Sequence, residues 1–391
     1  MIPNRPVYLD NQSTTPCDPR VVAAMLPFFT ERFGNPHTAE HAMGQDAAGA
    51  VEVARAQVAA SIGADPREIV FTSGATEANN IAIKGAARHA AQFGDPRRRV
   101  ITFATEHKCV LESVADLTAE GFEPVVLPVG DDGLLNFAEL QAALAMPTLL
   151  VSVMAANNET GVVQDVPGIA ALVHAAGALF HCDAAQAVGK IDFDVGCGVD
   201  LASISGHKLY GPKGVGALYV RRRPRVRLAA LFSGGGQERG LRSGTLPTPL
   251  VVGFGEACRI AAAEMATETE RLVALRARLL DGLGRAIPGV RVNGAWQPRL
   301  PGNLNLTFPR ANALDLMRAC PDLCVSTGSA CSSAEIEPST VLTAMGIAPS
   351  AAAQTLRIGL GRFTSAADVD FAIRALSAAH TAIAGMASTE A

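Results

Sequence analysis

From about residue 66 the chain alternates short apolar runs with longer alanine-rich stretches. The runs are "EIVFTS", "RRVITFAT", "EPVVLPV", "TLLVSVMAANNETG", "ALFHCDAAQ", "LASIS" and "GVGALYVRR", most of them dense in Val, Ile, Leu and Phe. Between them "GATEANNIAIKGAARHAAQFG", "HKCVLESVADLTAEG", "NFAELQAALA" and "VPGIAALVHAAG" read as helices. Buried strands alternating with helices predict an α/β fold with a mostly parallel sheet covered on both faces. Ligands of such sheets bind beyond the carboxyl ends of the strands. After "GGGQERGLRSGTLPTP" the texture changes: residues 249–287 predict one or two long helices, heavy in Ala, Glu and Arg. The remainder mixes short strands ("NLNLTFP", "LRIGLGR") with helices ("ALDLMRAC", "AADVDFAIRALSAAHTAIAG"). The expected division is a large domain over 16–258 and a smaller α+β domain formed by 259–391 with 1–15.

Composition narrows the function classes. With 391 residues, 18% charged side chains and a net charge of −4, the chain has an ordinary globular profile and no basic footprint for nucleic acid. "MIPNRPVYLDNQSTTP" has no apolar core of a signal peptide, and no apolar run approaches the roughly 20 residues of a membrane span. The 8 cysteines are scattered without a CxxC pair, which argues against a zinc ribbon or a disulfide framework and for reduced thiols in the cytoplasm. The basic run "VRRRPRVRL" reads as a solvated strand end or, alternatively, as a docking surface for an acidic partner.

Candidate chemistry collects where the expected strands end. Ser73-Gly74-Ala75-Thr76 closes one strand and opens a helix, so its free N–H groups and the helix dipole can cradle an anion, although such turns are common for purely structural reasons. His107 follows the next strand. Asp183 ends an apolar strand, where a carboxylate needs a partner or else caps the next turn, and Gln186 stands three residues on. Lysine is scarce: Lys84, Lys108, Lys190, Lys208 and Lys213 are the whole set. Lys208 alone follows a strand with hydrogen-bonding types beside it, Ser205 and His207, whereas Lys213 sits in a Pro-Lys-Gly turn facing water and Lys190 in another turn. A phosphate cradle, an acid, an amide and a lysine at strand ends fit pyridoxal 5'-phosphate, with the lysine forming a Schiff base and the acid facing the pyridine nitrogen.

"CVSTGSACSSAEIEPS" raises a separate question. Cys331 lies among small polar residues, a setting in which a thiolate can form and attack, while Cys109, Cys182 and Cys258 fall in helices or an apolar strand as inert core thiols do.

Taken together, "VYLDNQSTTP", "FGNP", "EIVFTSGATEANN", "TEHK", "NNETG", "DAAQAVGK", "SGHKLYGPKGVGALYVRR", "GGGQERGLRSGT" and "SSAEIEPS" resemble, in order, the cysteine desulfurases of the class V aminotransferase superfamily, the NifS/IscS-like group. The resemblance implies the fold type I architecture of pyridoxal-phosphate transferases, its large domain built on a sheet of the seven-stranded type. It implies a catalytic set of Lys208, His107 and Cys331. Ala75, Thr76, Ser205 and His207 would hold the cofactor phosphate, Asp183 the pyridine nitrogen and Gln186 the ring hydroxyl, with His107 stacked on the ring. Thr245 would reach the phosphate of a partner subunit, hence a homodimer. Asn157 would sit near cofactor and substrate, and Arg357 would clamp the substrate carboxylate. The implied reaction takes L-cysteine to L-alanine and leaves sulfur on Cys331 as a persulfide, for an iron–sulfur scaffold or another sulfur-acceptor protein. No metal is implied in the resting enzyme, although Cys331 can transiently ligate a cluster with a scaffold. Within enzymes the rival is a selenocysteine lyase on the same fold; outside them it is a non-catalytic binding partner of a sulfur pathway.

Overall fold

The computed structural model describes residues 6–327 and 339–387. After β1 (Val7–Tyr8), seven strands form one sheet: β2 (Ile69–Thr72), β3 (Arg99–Phe103), β4 (Glu123–Leu127), β5 (Thr148–Met154), β6 (Leu179–Asp183), β7 (Leu201–Ser205) and β8 (Gly216–Val220). Their order is β2-β8-β7-β6-β5-β3-β4. All neighbours are parallel except β8, which runs antiparallel to both β7 and β2. The carboxyl ends of β2, β3, β5, β6 and β7 therefore share one edge.

The apolar runs lack polar alternation because both faces of the sheet are covered. Ile69 and Phe71 enter one core while Val70 enters the other, and Ile101 and Phe103 part from Val100 in the same way. Val151 and Val153 likewise oppose Leu150. The first core is closed by helices Ala42–Ala60, Val166–Ala175 and the start of Thr248–Ala286; the second by Ala75–Gln92 and Lys108–Asp116. Each fully buried Val, Ile or Phe here contributes about 1.5–3 kcal/mol relative to exposure. β4, at the sheet edge, is only partly covered.

A third core lies around the antiparallel sheet β12-β10-β9, with β9 at Arg291–Val292, β10 at Asn303–Thr307 and β12 at Thr355–Gly359. β11 (Leu323–Cys324) pairs in parallel with β1, which brings Val7 and Leu9 into that core. The 39-residue helix Thr248–Ala286 is continuous and serves both regions: Phe254 and Cys258 belong to the first core, Leu272 through Leu283 to the third. Among the described residues no helix is long and apolar enough to cross a membrane.

Candidate active site

A cleft of about 1150 Å³ opens along the edge where the parallel strands end, and β12 closes it from the far side. β2 runs through Ser73 and Gly74 into helix Ala75–Gln92, whose N-terminus has no side-chain cap. Gly74 has a φ of 153°, and a Cβ built there would meet nothing within 4 Å, so the turn leaves open space in front of the helix. The first amides of a helix have no intrahelical partner, and here they face the cleft beside Ala75 and Thr76.

β3 delivers Glu106 and His107. His107 caps helix Lys108–Asp116: its Nδ1 accepts the Cys109 amide at 3.2 Å and lies 3.0 Å from the Cys109 thiol. With Nδ1 as acceptor, the proton of the neutral ring belongs on Nε2. Burial lowers the His107 pKa and the Lys208 charge lowers it further, while Asp183 and Glu112 oppose them; the balance favours the neutral ring. Burial and Asp183 together push the Cys109 thiol up to about 12. It reaches the cleft yet stays protonated, which agrees with its inert assignment from sequence while adding a contact that sequence did not show.

β6 ends on Asp183, which is 6% exposed and lines the cleft. Its Oδ2 accepts from Asn79 Nδ2 at 2.8 Å and its Oδ1 from the Ala185 amide at 2.9 Å, so the carboxylate is fixed on one side and open on the other. Gln186 Nε2 donates to the Gln12 carbonyl at 2.9 Å. β7 ends on Ser205, followed by His207 and Lys208. Lys208 Nζ donates to the carbonyls of Gln12 at 2.7 Å and Ser13 at 2.6 Å. His207 Nδ1 lies 3.0 Å from Thr14 Oγ1, and burial, helped by the cations Lys208, Lys213 and Lys190, lowers its pKa to about 4. On β12, Arg357 is 2% exposed; its Nη2 donates to Asp10 Oδ1 at 2.8 Å and its Nη1 to the Asn158 carbonyl at 3.2 Å. Its Nε is buried with no hydrogen-bond partner among the described residues.

Ala75, Thr76, His107, Asp183, Gln186, Ser205, His207, Lys208 and Arg357 thus converge on one cleft. Two expected residues do not. Asn157 is buried below the floor, where its amide donates to the Thr105 carbonyl at 2.9 Å and accepts from the amides of Glu159 and Thr160, both at 2.9 Å; its neighbour Asn158 lines the cleft instead. Thr245 is exposed on the loop before helix Thr248–Ala286, outside the cleft. Cys331 lies outside the described residues. Sequence reading missed Asp10, which orients Arg357; Glu106, whose Oε1 accepts the Met154 amide at 2.6 Å; and Lys190, bonded to Gln186. Only Lys190 carried a usable signal, as a rare lysine four residues after Gln186.

An uncapped helix, a fixed buried acid and a lysine at the same edge suit a phosphate, a pyridinium nitrogen and an aldehyde respectively. The sequence profile of the family described as Aminotransferase class-V matches residues 7–371. The chain belongs to the class-V aminotransferase family. Enzymes of this family are pyridoxal-phosphate dependent, and this one is too. Among relatives of this family member, a mitochondrial cysteine desulfurase of Arthroderma benhamiae is 54% identical over 95% of this chain and 74% of its own. The cysteine desulfurase IscS of Rickettsia akari is 52% identical over 94% of this chain and 89% of its own. A solved NifS-like protein superimposes with a TM-score of 0.88 at 37% identity, covering 95% of this chain and 98% of that one.

Proposed function

We propose that the protein is a cysteine desulfurase, converting L-cysteine to L-alanine and passing the sulfur to Cys331. The observation that carries this reading is the single cleft in which Lys208, Asp183, His107 and Arg357 meet the open N-terminus of helix Ala75–Gln92. Relatives bearing that name match nearly the whole chain.

Pyridoxal phosphate, when bound, supplies an electron sink for the substrate's α-carbon. The residues of the chain do the rest. Ala75, Thr76, Ser205 and His207 receive the phosphate, and a neutral His207 donates rather than adding charge. Asp183, fixed by Asn79 and Ala185, would face the pyridine nitrogen and keep it protonated. Lys208 would hold the cofactor aldehyde, and its amine would accept the substrate's α-proton. Arg357, oriented by Asp10, would bind the substrate carboxylate. Asn157 holds the turn that puts the Asn158 carbonyl against that guanidinium. His107 would lie against the cofactor ring, with a proton on Nε2. The Cys331 thiolate attacks the substrate sulfur: the S–S bond forms, the C–S bond breaks with its electron pair left on Cβ, and Cβ takes a proton to become the alanine methyl.

The working unit is a homodimer. Leu26, Phe29 and Phe33, close in sequence, are 59%, 55% and 63% exposed, apolar surface that a second copy can cover. Thr245, outside its own cleft, is then free to reach the partner's phosphate. The 7 described cysteines are all unpaired, which suits a reducing compartment such as the cytoplasm. The persulfide of Cys331 is delivered to an iron–sulfur scaffold, where Cys331 can transiently ligate the cluster, or to another sulfur carrier.

The test follows alanine and sulfide together, with L-cysteine and a thiol reductant, for wild type and Cys331→Ala. Both products from wild type, with sulfide lost in the variant while its cofactor spectrum still responds to cysteine, is the expected result. A variant as active as wild type removes Cys331 as acceptor and makes a lyase acting directly on its substrate the better description.

A further inference from the structure

Lys190 was read from sequence as a turn lysine, yet it is tied to the cofactor lysine through a short chain of hydrogen bonds. Its Nζ donates to Gln186 Oε1 at 2.6 Å. The other end of that amide, Nε2, donates to the Gln12 carbonyl at 2.9 Å, and the same carbonyl accepts from Lys208 Nζ at 2.7 Å. Two of the chain's five lysines are therefore linked by one side-chain amide and one backbone oxygen.

An amide can be flipped by half a turn at little intrinsic cost, so its orientation is set by its partners. Here one partner is Lys190, which accepts nothing when protonated, and the other a carbonyl, which donates nothing in any state. Both force Oε1 toward Lys190 and Nε2 toward Lys208. Lys190 also stands at the edge of a small cavity with Gln12, Tyr210 and Glu268, and Gln12 Oε1, 3% exposed, has no hydrogen-bond partner there among the described residues. The groups that bear on its charge are the cations Lys208 and Arg357 and the carboxylate Glu268, and Lys190 in turn bears on His207. Burial and the two cations lower its pKa to about 7, with Glu268 opposing.

We propose that Lys190 is a positioning residue for the cofactor: it locks the amide of Gln186 with its N–H₂ toward the Lys208 side, so that Gln186 presents a donor, not an acceptor, to the cofactor oxygen it meets. The inference rests on the reading of Lys208 and Gln186 as cofactor residues. It requires no contact between Lys190 and cofactor or substrate, and it makes Lys190 and Gln186 a single functional unit.

The experiment is a double-variant cycle read by titrating apoprotein with pyridoxal phosphate and following absorbance and intrinsic fluorescence. Lys190→Met and Gln186→Ala should each weaken cofactor binding about tenfold, the scale of one hydrogen bond to a charged group. The double variant should lose no more than the worse single one. Lys190→Arg, which keeps a cationic donor, should recover most of the loss. Thermal unfolding of the apoproteins checks that the variants fold, and Lys190→Leu replaces Lys190→Met if that variant does not. Multiplicative losses in the double variant, or Lys190→Arg as weak as Lys190→Met, overturn the proposal. Failure of the underlying reading looks different: wild-type apoprotein would then take up pyridoxal phosphate no better than Lys208→Ala.

Discussion

The loop that carries Thr245 is held by a buried ion pair, and removing half of that pair gives a sharp test of how the site is supported. Glu238 and Arg55 have side chains 2% and 6% exposed. Arg55 Nη1 and Nη2 donate to the two Glu238 oxygens, each at 2.8 Å, and Glu238 Oε2 also accepts the Phe71 amide at 2.7 Å. The Arg55 guanidinium lies 4.6 Å from the Phe71 ring centroid. The carboxylate therefore anchors the 238–245 loop to β2, just upstream of the Ser73–Thr76 turn. Glu238→Gln keeps the shape but leaves a desolvated guanidinium with only the exposed Glu52 carboxylate, 3.0 Å from its Nε, as counter-charge. Breaking one side of such a pair costs about 3–5 kcal/mol. Replacing both partners, as in Arg55→Met with Glu238→Leu, should recover part of the loss, because neither buried charge remains although the Phe71 amide still lacks its acceptor. Urea unfolding of the apoprotein by circular dichroism measures both, with an unchanged m-value as the sign that the compared states are the same. A loss below about 1 kcal/mol for Glu238→Gln would refute the reasoning, since it would mean that Glu52 or water is counter-charge enough for Arg55. The single variant should also bind cofactor more weakly, through disorder of the loop bearing Thr245.

Asp10→Asn removes the charge that orients Arg357, so KM for L-cysteine should rise about tenfold with kcat changed much less; steady-state kinetics separates the two, and a fall in kcat alone would contradict the assignment. Burial, reinforced by Asp183, raises the Glu106 pKa well above the ordinary 4.5, while the Met154 amide bond opposes it. A raised carboxyl pKa gives stability that is complete below the unfolded value and lost as pH rises through the folded one. Glu106→Gln should therefore flatten the decline of stability above about pH 4.5, checked by unfolding midpoints across pH; an unchanged slope would show that Glu106 is ionised in the fold.

Much of the fold was legible because burial on both faces leaves a simple trace: runs such as "TLLVSVM" have no polar register to lose. The antiparallel course of β8 was not legible, since an apolar run records its burial and not its direction. Lys208, Asp183 and His107 could be found from their places after strands, a rule that concerns local order alone. Lys190 and Asp10 could not, because their roles depend on contacts from distant segments: the turn at Gln12 in one case and β12 in the other. Asn157 stood in a suggestive motif, yet its amide is taken up by the turn it closes, an outcome decided by backbone geometry. Thr245 shows the converse: its expected place is the partner subunit, and within one chain it faces outward.

The central claim is that one lysine of five does the chemistry. Reducing the pyridoxal-phosphate-loaded protein with borohydride fixes the lysine–cofactor bond, and peptide mass spectrometry then locates the added pyridoxyl phosphate. The account predicts the label on Lys208 and none on Lys213, which lies five residues on in the same cleft. A label on Lys213 or Lys190 would contradict it.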